Sequence, residues 1–559
     1  MAGHNVATLL RRHARSSPES SALAFPSAHY TAEAPTWDTW SFRRLDEESD
    51  AVARGLVAEG VRPGDRAVVL VRPSLELYAL LFALFKAGAV PVLLDPGMGI
   101  RALLTCIERT GPRVLVATPA VHAVRVLFAR RAFSAVAVHV TAGRRWFWGG
   151  ATLADLKRDG APFELVERGE NDAAAILFTS GSTGPAKGVV STQAMFAAQT
   201  EALRRMFDLL PGQIDLQCFA AFAIFDVSLG MTAVIPNMDL ARPATADPRA
   251  IVAGIRAFEP EIAFASPIVW RHTSRHCLEH EITFPSIRTL LTVGAPIPPE
   301  LHRRMRRILP AGAQVHTPYG ATEAMPITSI GTDEVLGDTA ARTASGAGTC
   351  VGRPAPGADV RIVGVTDAPL PHWSDDLAVP TGTLGEIVAG GAQVSPAYAE
   401  VEGVNAAAKI TQGDRILHRM GDLGYLDASG RLWFCGRKAH RLVIDDGSVL
   451  PSDAIEAIFD EHPGVLRTAL VGLGPRGRQI PILCVEMEQG HGWSAEVEEE
   501  LRTLAGGTVV EGRIARFLPH PGFPTDARHN SKIRREELVP WAARRCRDLA
   551  PPASRRHAA

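Results

Sequence analysis

Short apolar runs alternate with helix-length mixed segments through the first three quarters of the chain. Ala67 to Val71 precedes a helical stretch starting near Ser74, Val114 to Ala117 precedes another, and Ala173 to Phe178 leads into a glycine-rich loop. Strands alternating with helices predict an α/β fold with largely parallel sheets. The most apolar stretch, Leu75 to Leu94, is interrupted by Glu76, Lys86, Gly88 and Pro91, well short of the ~20 clean residues that a membrane span needs. It reads as a buried helix up to Phe85, a turn over Lys86 to Gly88 and a buried strand from Val90 to Leu94, so no membrane span is expected.

The texture changes over Gly390 to Ala428 to shorter strands and turns, with a hairpin turn expected over Leu426 to Gly430 before Arg431 to Cys435. Beyond Gly436 a basic segment (Arg437, Lys438, His440, Arg441) leads to a helix-like stretch from Ser452 to His462. Two strand-like runs follow it, Arg467 to Leu473 and Ile480 to Met487. These shifts predict a large N-terminal body over residues 1–436, made of parallel-rich sheets with helices and a β-rich subdomain. A small α+β domain is expected over 437–550, and a disordered polar tail over 551–559.

Composition narrows the function classes. At 559 residues, 46% hydrophobic and 21% charged, the chain is globular and too long for one core. The 59 lysines and arginines against 60 aspartates and glutamates leave no global field to draw it onto nucleic acid, so an anionic ligand must be held locally. The seven scattered cysteines include no CxxC pair and read as reduced and mostly buried. The start, Met1 to Ser16, lacks the continuous apolar core of a secretory signal, and a cytoplasmic protein is expected.

The strongest local signal runs from Phe178 to Gly188. It gathers Gly181, Gly184 and Gly188, the hydroxyls of Thr179, Ser180, Ser182 and Thr183, and Lys187. Small residues let backbone N–H groups approach phosphate oxygens, hydroxyls donate further bonds and the lysine adds charge, which suits a triphosphate. The order GxxxxGK[ST] is not met, which disfavours a P-loop NTPase. In His316 to Glu323, Tyr319 could stack on a purine, Thr322 could bind a phosphate oxygen and Glu323 could hold magnesium. Asp422, in the glycine-flanked turn from Met420 to Tyr425, suits the hydroxyls of a ribose. Gly436-Arg437 and the segment from Arg528 to Arg534, with Lys532, complete the set. The run from Gly472 to Gly477 matches GxGxxG, but Pro475 and Pro481 open no helix, and a turn between strands is expected.

In this order and at this spread, the five segments resemble the adenylate-forming superfamily of acyl-CoA synthetases, nonribosomal-peptide adenylation domains and luciferases. The resemblance spans about Ala7 to about Leu538. It implies ATP as cosubstrate with Mg2+, and it implies roles residue by residue. Thr179, Ser180, Gly181, Ser182, Thr183, Gly184 and Lys187 match the phosphate loop, and Gly294, Ala295 and Pro296 the adenine-side turn. Tyr319 matches the adenine-stacking residue, Thr322 and Glu323 the phosphate and magnesium pair, Asp422 the ribose ligand, Arg437 the hinge arginine and Lys532 the catalytic lysine of the small domain, which the resemblance implies is mobile. Relatives that use coenzyme A usually carry aspartate or lysine at the pivot after the hinge arginine, where this chain has Ala439; His529, Asn530 and Ser531 also depart from the usual Ser-Gly.

Those departures, with Asp95 to Gly99, Phe222 to Pro236 and Arg528 to Ile533, resemble the olefin β-lactone synthetases. That resemblance implies adenylation of a long-chain 2-alkyl-3-hydroxyalkanoic acid, closure to a β-lactone by its own 3-hydroxyl, and association with other olefin-pathway enzymes. Phe219 to Phe225 and Phe264 to Trp270 are candidates for an alkyl-chain wall, and His316 and His529 for a base. The competing readings are a long-chain fatty acyl-AMP ligase or acyl-CoA synthetase, and a catalytically silent nucleotide-binding partner.

Overall fold

The computed structural model describes residues 4–179, 186–294, 297–399, 403–525 and 533–549. Two large sheets make up the N-terminal body. At the centre of an eight-stranded sheet the Val90–Leu94 strand lies parallel to both Arg66–Leu70 and Ala173–Thr179. Its near-continuous apolar sequence is that of a strand covered on both faces. The helix before it, Leu75–Lys86, is capped by the Ser74 hydroxyl, which accepts from the Leu77 N–H at 3.3 Å. All its residues but Glu76 are buried, including Lys86. Lys86 Nζ is compensated by Asp46 and Asp50 at 2.5 and 2.6 Å, and Arg11 joins the same carboxylates. Among the described residues no helix is long and apolar enough to cross a membrane.

Lys187–Thr192 returns antiparallel to Ala173–Thr179, with Thr179 opposite Lys187. The glycine-rich segment therefore joins two antiparallel strands rather than a strand and a helix. Residues 180–185 themselves lie outside the described residues.

The second sheet has 14 strands. One half is parallel, through Ile214–Gln217, Ile262–Ala265, Thr289–Thr292 and Gln314–Ala321. At the turn after Gln314–Ala321 the direction reverses, and Ala324–Gly331, Thr349–Pro354, Leu432–Arg437 and Arg415–Leu426 follow in antiparallel pairs. The turn from Tyr319 to Glu323 thus stands where the sheet changes from parallel to antiparallel.

Beyond Arg437 a three-stranded sheet of Val465–Leu473, Ile480–Met487 and Arg516–Pro519 packs with the helices Ser452–Phe459, Ala495–Leu504 and Arg535–Arg545 around cores of its own. The expected helix over Ser452 to His462 ends at Phe459. The GxGxxG run joins two strands and opens no helix. All seven cysteines are buried and free. The expected tail over 551–559 lies outside the described residues.

Candidate active site

Three strands of the second sheet bring the first group together. Tyr319 stands two residues before the end of its strand, and a Cβ on the next residue, Gly320, would stand 2.6 Å from the Ala324 carbonyl, so only glycine fits. Asp422 and Arg437 face each other in register on adjacent strands, and Gly421, at φ +69°, sets the approach to Asp422. The Tyr319 hydroxyl donates to Asp422 Oδ2 at 2.6 Å, and Arg437 Nη1 lies 2.9 Å from Oδ1. Burial pushes the Asp422 carboxyl above its ordinary range, against the pull of Arg437 and Tyr319. A carboxyl group held in place by two donors still offers lone pairs to a polyhydroxyl ligand.

Glu323, on the other side of the turn, accepts from the Tyr398 hydroxyl at 2.6 Å, and its carbonyl accepts from the Ser395 N–H at 2.7 Å. Tyr398 arrives on a short edge strand paired with Lys187–Thr192. Lys187 Nζ lies 5.3 Å from its ring centroid and Lys409 Nζ 5.5 Å. Lys409, buried and donating to the Ser395 carbonyl at 2.5 Å, is pushed down to about 7 by burial, with Glu323 pulling the other way. Burial, then Lys409, also lowers the buried His418 imidazole. None of Tyr398, Lys409 or His418 stands in a motif, and these contacts were not foreseen.

A cavity of about 2040 Å³ joins these groups. Lys187, Gly294, Tyr319, Thr322, Glu323, Asp422 and Arg437 line its polar end, while Phe219, Phe222, Phe225 and Phe264 wall its apolar part. Asp95 and Ala439 also face it. Trp270 does not: it is fully buried in a separate core, because its helix turns that face towards Phe284 and Ile287. His316 is not among the lining residues either, and packs edge-on against Phe207 at 5.3 Å. Of the remaining expected site residues, Ser180, Gly181, Ser182, Thr183, Gly184, Ala295, Pro296, His529 and Lys532 lie outside the described residues. Thr179 closes its strand opposite Lys187.

Among the described residues no group of three or more histidines, cysteines, aspartates or glutamates could hold a metal. A lone carboxylate, Glu323, sharing Tyr398 with Lys187 still fits Mg2+, which takes one or two carboxylates with phosphate oxygens and water.

Comparison with known proteins agrees with this geometry. The AMP-binding enzyme family matches residues 10–399. An olefin β-lactone synthetase of Xanthomonas campestris pv. campestris is 45% identical over 96% of this chain and 97% of its own. One of Stenotrophomonas maltophilia is 44% identical over 96% and 98%. Among solved structures, the amide bond synthetase McbA of Marinactinospora thermotolerans superposes with a TM-score of 0.76 at 21% identity, over 96% of this chain and 99% of its own. An o-succinylbenzoate CoA synthetase of Bacillus subtilis with its acyl-adenylate superposes with a TM-score of 0.73 at 21%, over 96% and 98%. The chain belongs to the AMP-binding enzymes, as an adenylate-forming ligase in the same group as the olefin β-lactone synthetases.

Proposed function

We propose that this chain activates a long-chain 2-alkyl-3-hydroxyalkanoic acid with ATP and closes the resulting acyl-adenylate to a β-lactone, releasing pyrophosphate and AMP. The observation that carries the reading is the cavity: the part lined by Lys187, Glu323 and Asp422 continues into an apolar part, and its volume of about 2040 Å³ exceeds the ~300–1,000 Å³ of an ordinary ligand pocket. An acid with two alkyl chains needs such a space beside the α-phosphate.

In the first step a carboxylate oxygen bonds to the α-phosphorus and the bond to pyrophosphate breaks. Two anions must meet, so we assign Lys187 and Lys532 to screening their repulsion and stabilising the leaving group. The backbone of Thr179 to Gly184 cradles the phosphates, and Thr322 donates to one of their oxygens. Tyr319 stacks on the adenine beside Gly294, Ala295 and Pro296, and Asp422, steadied by Arg437, takes the ribose hydroxyls. Mg2+ held by Glu323 and the phosphates supplies further charge neutralisation when bound.

In the second step the 3-hydroxyl oxygen bonds to the acyl carbon, the carbon–oxygen bond to AMP breaks, and the hydroxyl proton passes to the leaving phosphate. Nucleophile and electrophile belong to one molecule, so proximity is supplied without a second substrate. Ala439, at the position where coenzyme A users usually carry aspartate or lysine, supports this reading. On the same reading the chain divides at residues 436 and 437, works in the cytoplasm and associates with other olefin-pathway enzymes.

The test is mass spectrometry of the products from enzyme, ATP, Mg2+ and a synthetic 2-alkyl-3-hydroxy acid, with and without coenzyme A. The expected product is lighter than the acid by one water and accompanies AMP in both reactions. A thioester formed only with coenzyme A, or adenylate that only hydrolyses, would contradict lactone closure.

A further inference from the structure

The near-neutral charge of the whole chain hides one uneven region. Between Ile100 and Gly150 stand eight arginines, no lysine and a single acidic residue, Glu108. Arg101, Arg109, Arg130, Arg131, Arg144 and Arg145 are exposed. The same segment supplies five of the eleven large apolar side chains left exposed among the described residues: Ile100, Leu127, Phe128, Trp146 and Phe147. Phe128, at 83%, is the most exposed of all eleven.

These groups belong to one face. The helices Ile100–Thr110 and Pro119–Leu127 share a core through Cys106, Ile107 and Phe133. Trp148 stacks on His122 at 5.4 Å, which holds the turn bearing Arg144 to Phe147 against the first half of the second helix. Leu127 and Phe128 stand five and six residues beyond His122 at that helix's other end, about 8–9 Å away at 1.5 Å per residue. Arg131 pairs with Glu108 at 2.8 Å, tying the following turn to the first helix. The same two helices line the cavity, through Ile100, Leu103, Leu104, Val121 and Val124.

Aromatic and aliphatic side chains interleaved with arginine match the interface of a bilayer, where apolar groups enter the headgroup region and guanidinium groups reach phosphates. A nucleic acid would satisfy the arginines but leave Leu127 and Phe128 in water. Exposed apolar groups concentrated in one segment of the chain in this way mark a contact surface rather than a free one. We propose that this face docks on an anionic phospholipid bilayer, with the apolar end of the cavity turned towards the lipid. Docking stands on the surface alone; lateral entry of a two-chain acid from the membrane rests in addition on the function proposed above.

The experiment sediments the full-length protein with vesicles of phosphatidylcholine alone and of phosphatidylcholine mixed with phosphatidylglycerol, at low and high salt. The double variants F128S/W146S and R130E/R144E are run in parallel, with thermal melts to establish that they fold. Expected is binding to the anionic vesicles that weakens as salt rises, and a loss of at least roughly tenfold in partitioning for each variant. The wild type should also show a blue shift of tryptophan emission on binding, absent in W146F. Equal binding to neutral vesicles, equal binding by folded variants, or binding only to an acidic protein or to DNA would overturn the proposal.

Discussion

Asp422 is the residue on which three strands converge, and its environment makes its role testable. Two charge-assisted partners, Tyr319 and Arg437, hold it at 2.6 and 2.9 Å. Asp422→Asn keeps the shape and removes the charge. A hydrogen bond to a charged group contributes about 1.5–3 kcal/mol, so KM for ATP should rise roughly tenfold to a hundredfold, with kcat changed less, in steady-state kinetics. An unchanged KM would remove Asp422 from the nucleotide site. Tyr398→Phe deletes the hydroxyl that orients Glu323, and the Mg2+ concentration for half-maximal activity should rise about tenfold, measured by titrating Mg2+ at fixed ATP. Glu323 was legible as a candidate because Gly320 marks the turn that carries it; Asp422 was expected in a glycine-flanked turn and stands instead inside the Arg415–Leu426 strand, its flanking glycines being strand positions. Tyr398 was not legible: it lies 75 residues from Glu323 and reaches it only because its edge strand pairs with Lys187–Thr192.

At the scale of elements, the apolar wall of the cavity depends on one junction. The strand Ile214–Gln217 ends in a short turn over Ala220–Phe222 and continues as the helix Ala223–Leu229. Under that junction Gln217 Nε2 donates to Asp215 Oδ2 and Asp226 Oδ2, each at 3.1 Å. Burial pushes Asp226 up to about 7 and raises Asp215, with the facing carboxyl of Asp226 adding to the rise in Asp215. The folded state therefore binds more protons than the unfolded chain between about pH 4 and about pH 7. The stability this contributes is fully present below pH 4 and is lost as pH rises through 7. Asp226→Asn keeps a hydrogen-bonding group without the titration, so its thermal midpoint should fall less than the wild type's across that range. A parallel pH profile would show that the pair does not carry the effect. Phe222→Ala, in the turn itself, should raise KM for a long-chain acid while leaving KM for ATP unchanged.

Element types followed from periodicity where strands were continuous and apolar, as at Val90–Leu94 and Ile480–Met487. The reversal of the 14-stranded sheet at the Tyr319 turn did not, because local pattern does not encode which strands pair. Trp270 shows the same limit: an apolar run predicts burial, and only the packing of its helix decides between a core and a cavity wall.

For the whole molecule, the account requires the small domain to supply a charge that the body lacks. Ile533 and Arg535 follow the segment that carries Lys532, and Arg535 is anchored to the buried Glu456 at 2.5 Å. Lys532→Ala should lower acid-dependent pyrophosphate release by at least about a hundredfold, while equilibrium dialysis finds ATP binding nearly unchanged. Loss of ATP binding instead would mean that the lysine holds the nucleotide rather than the transition state.

The central claim, that the carboxyl group is activated and the hydroxyl attacks it, is tested most directly by oxygen labelling. A 2-alkyl-3-hydroxy acid carrying 18O in its carboxyl group is turned over, and AMP and lactone are weighed by mass spectrometry. The account predicts one labelled oxygen in AMP and one in the lactone carbonyl, with the ring oxygen unlabelled. AMP free of label, with both labelled oxygens retained in the lactone, would mean that the hydroxyl is activated and the carboxylate attacks, and would contradict it.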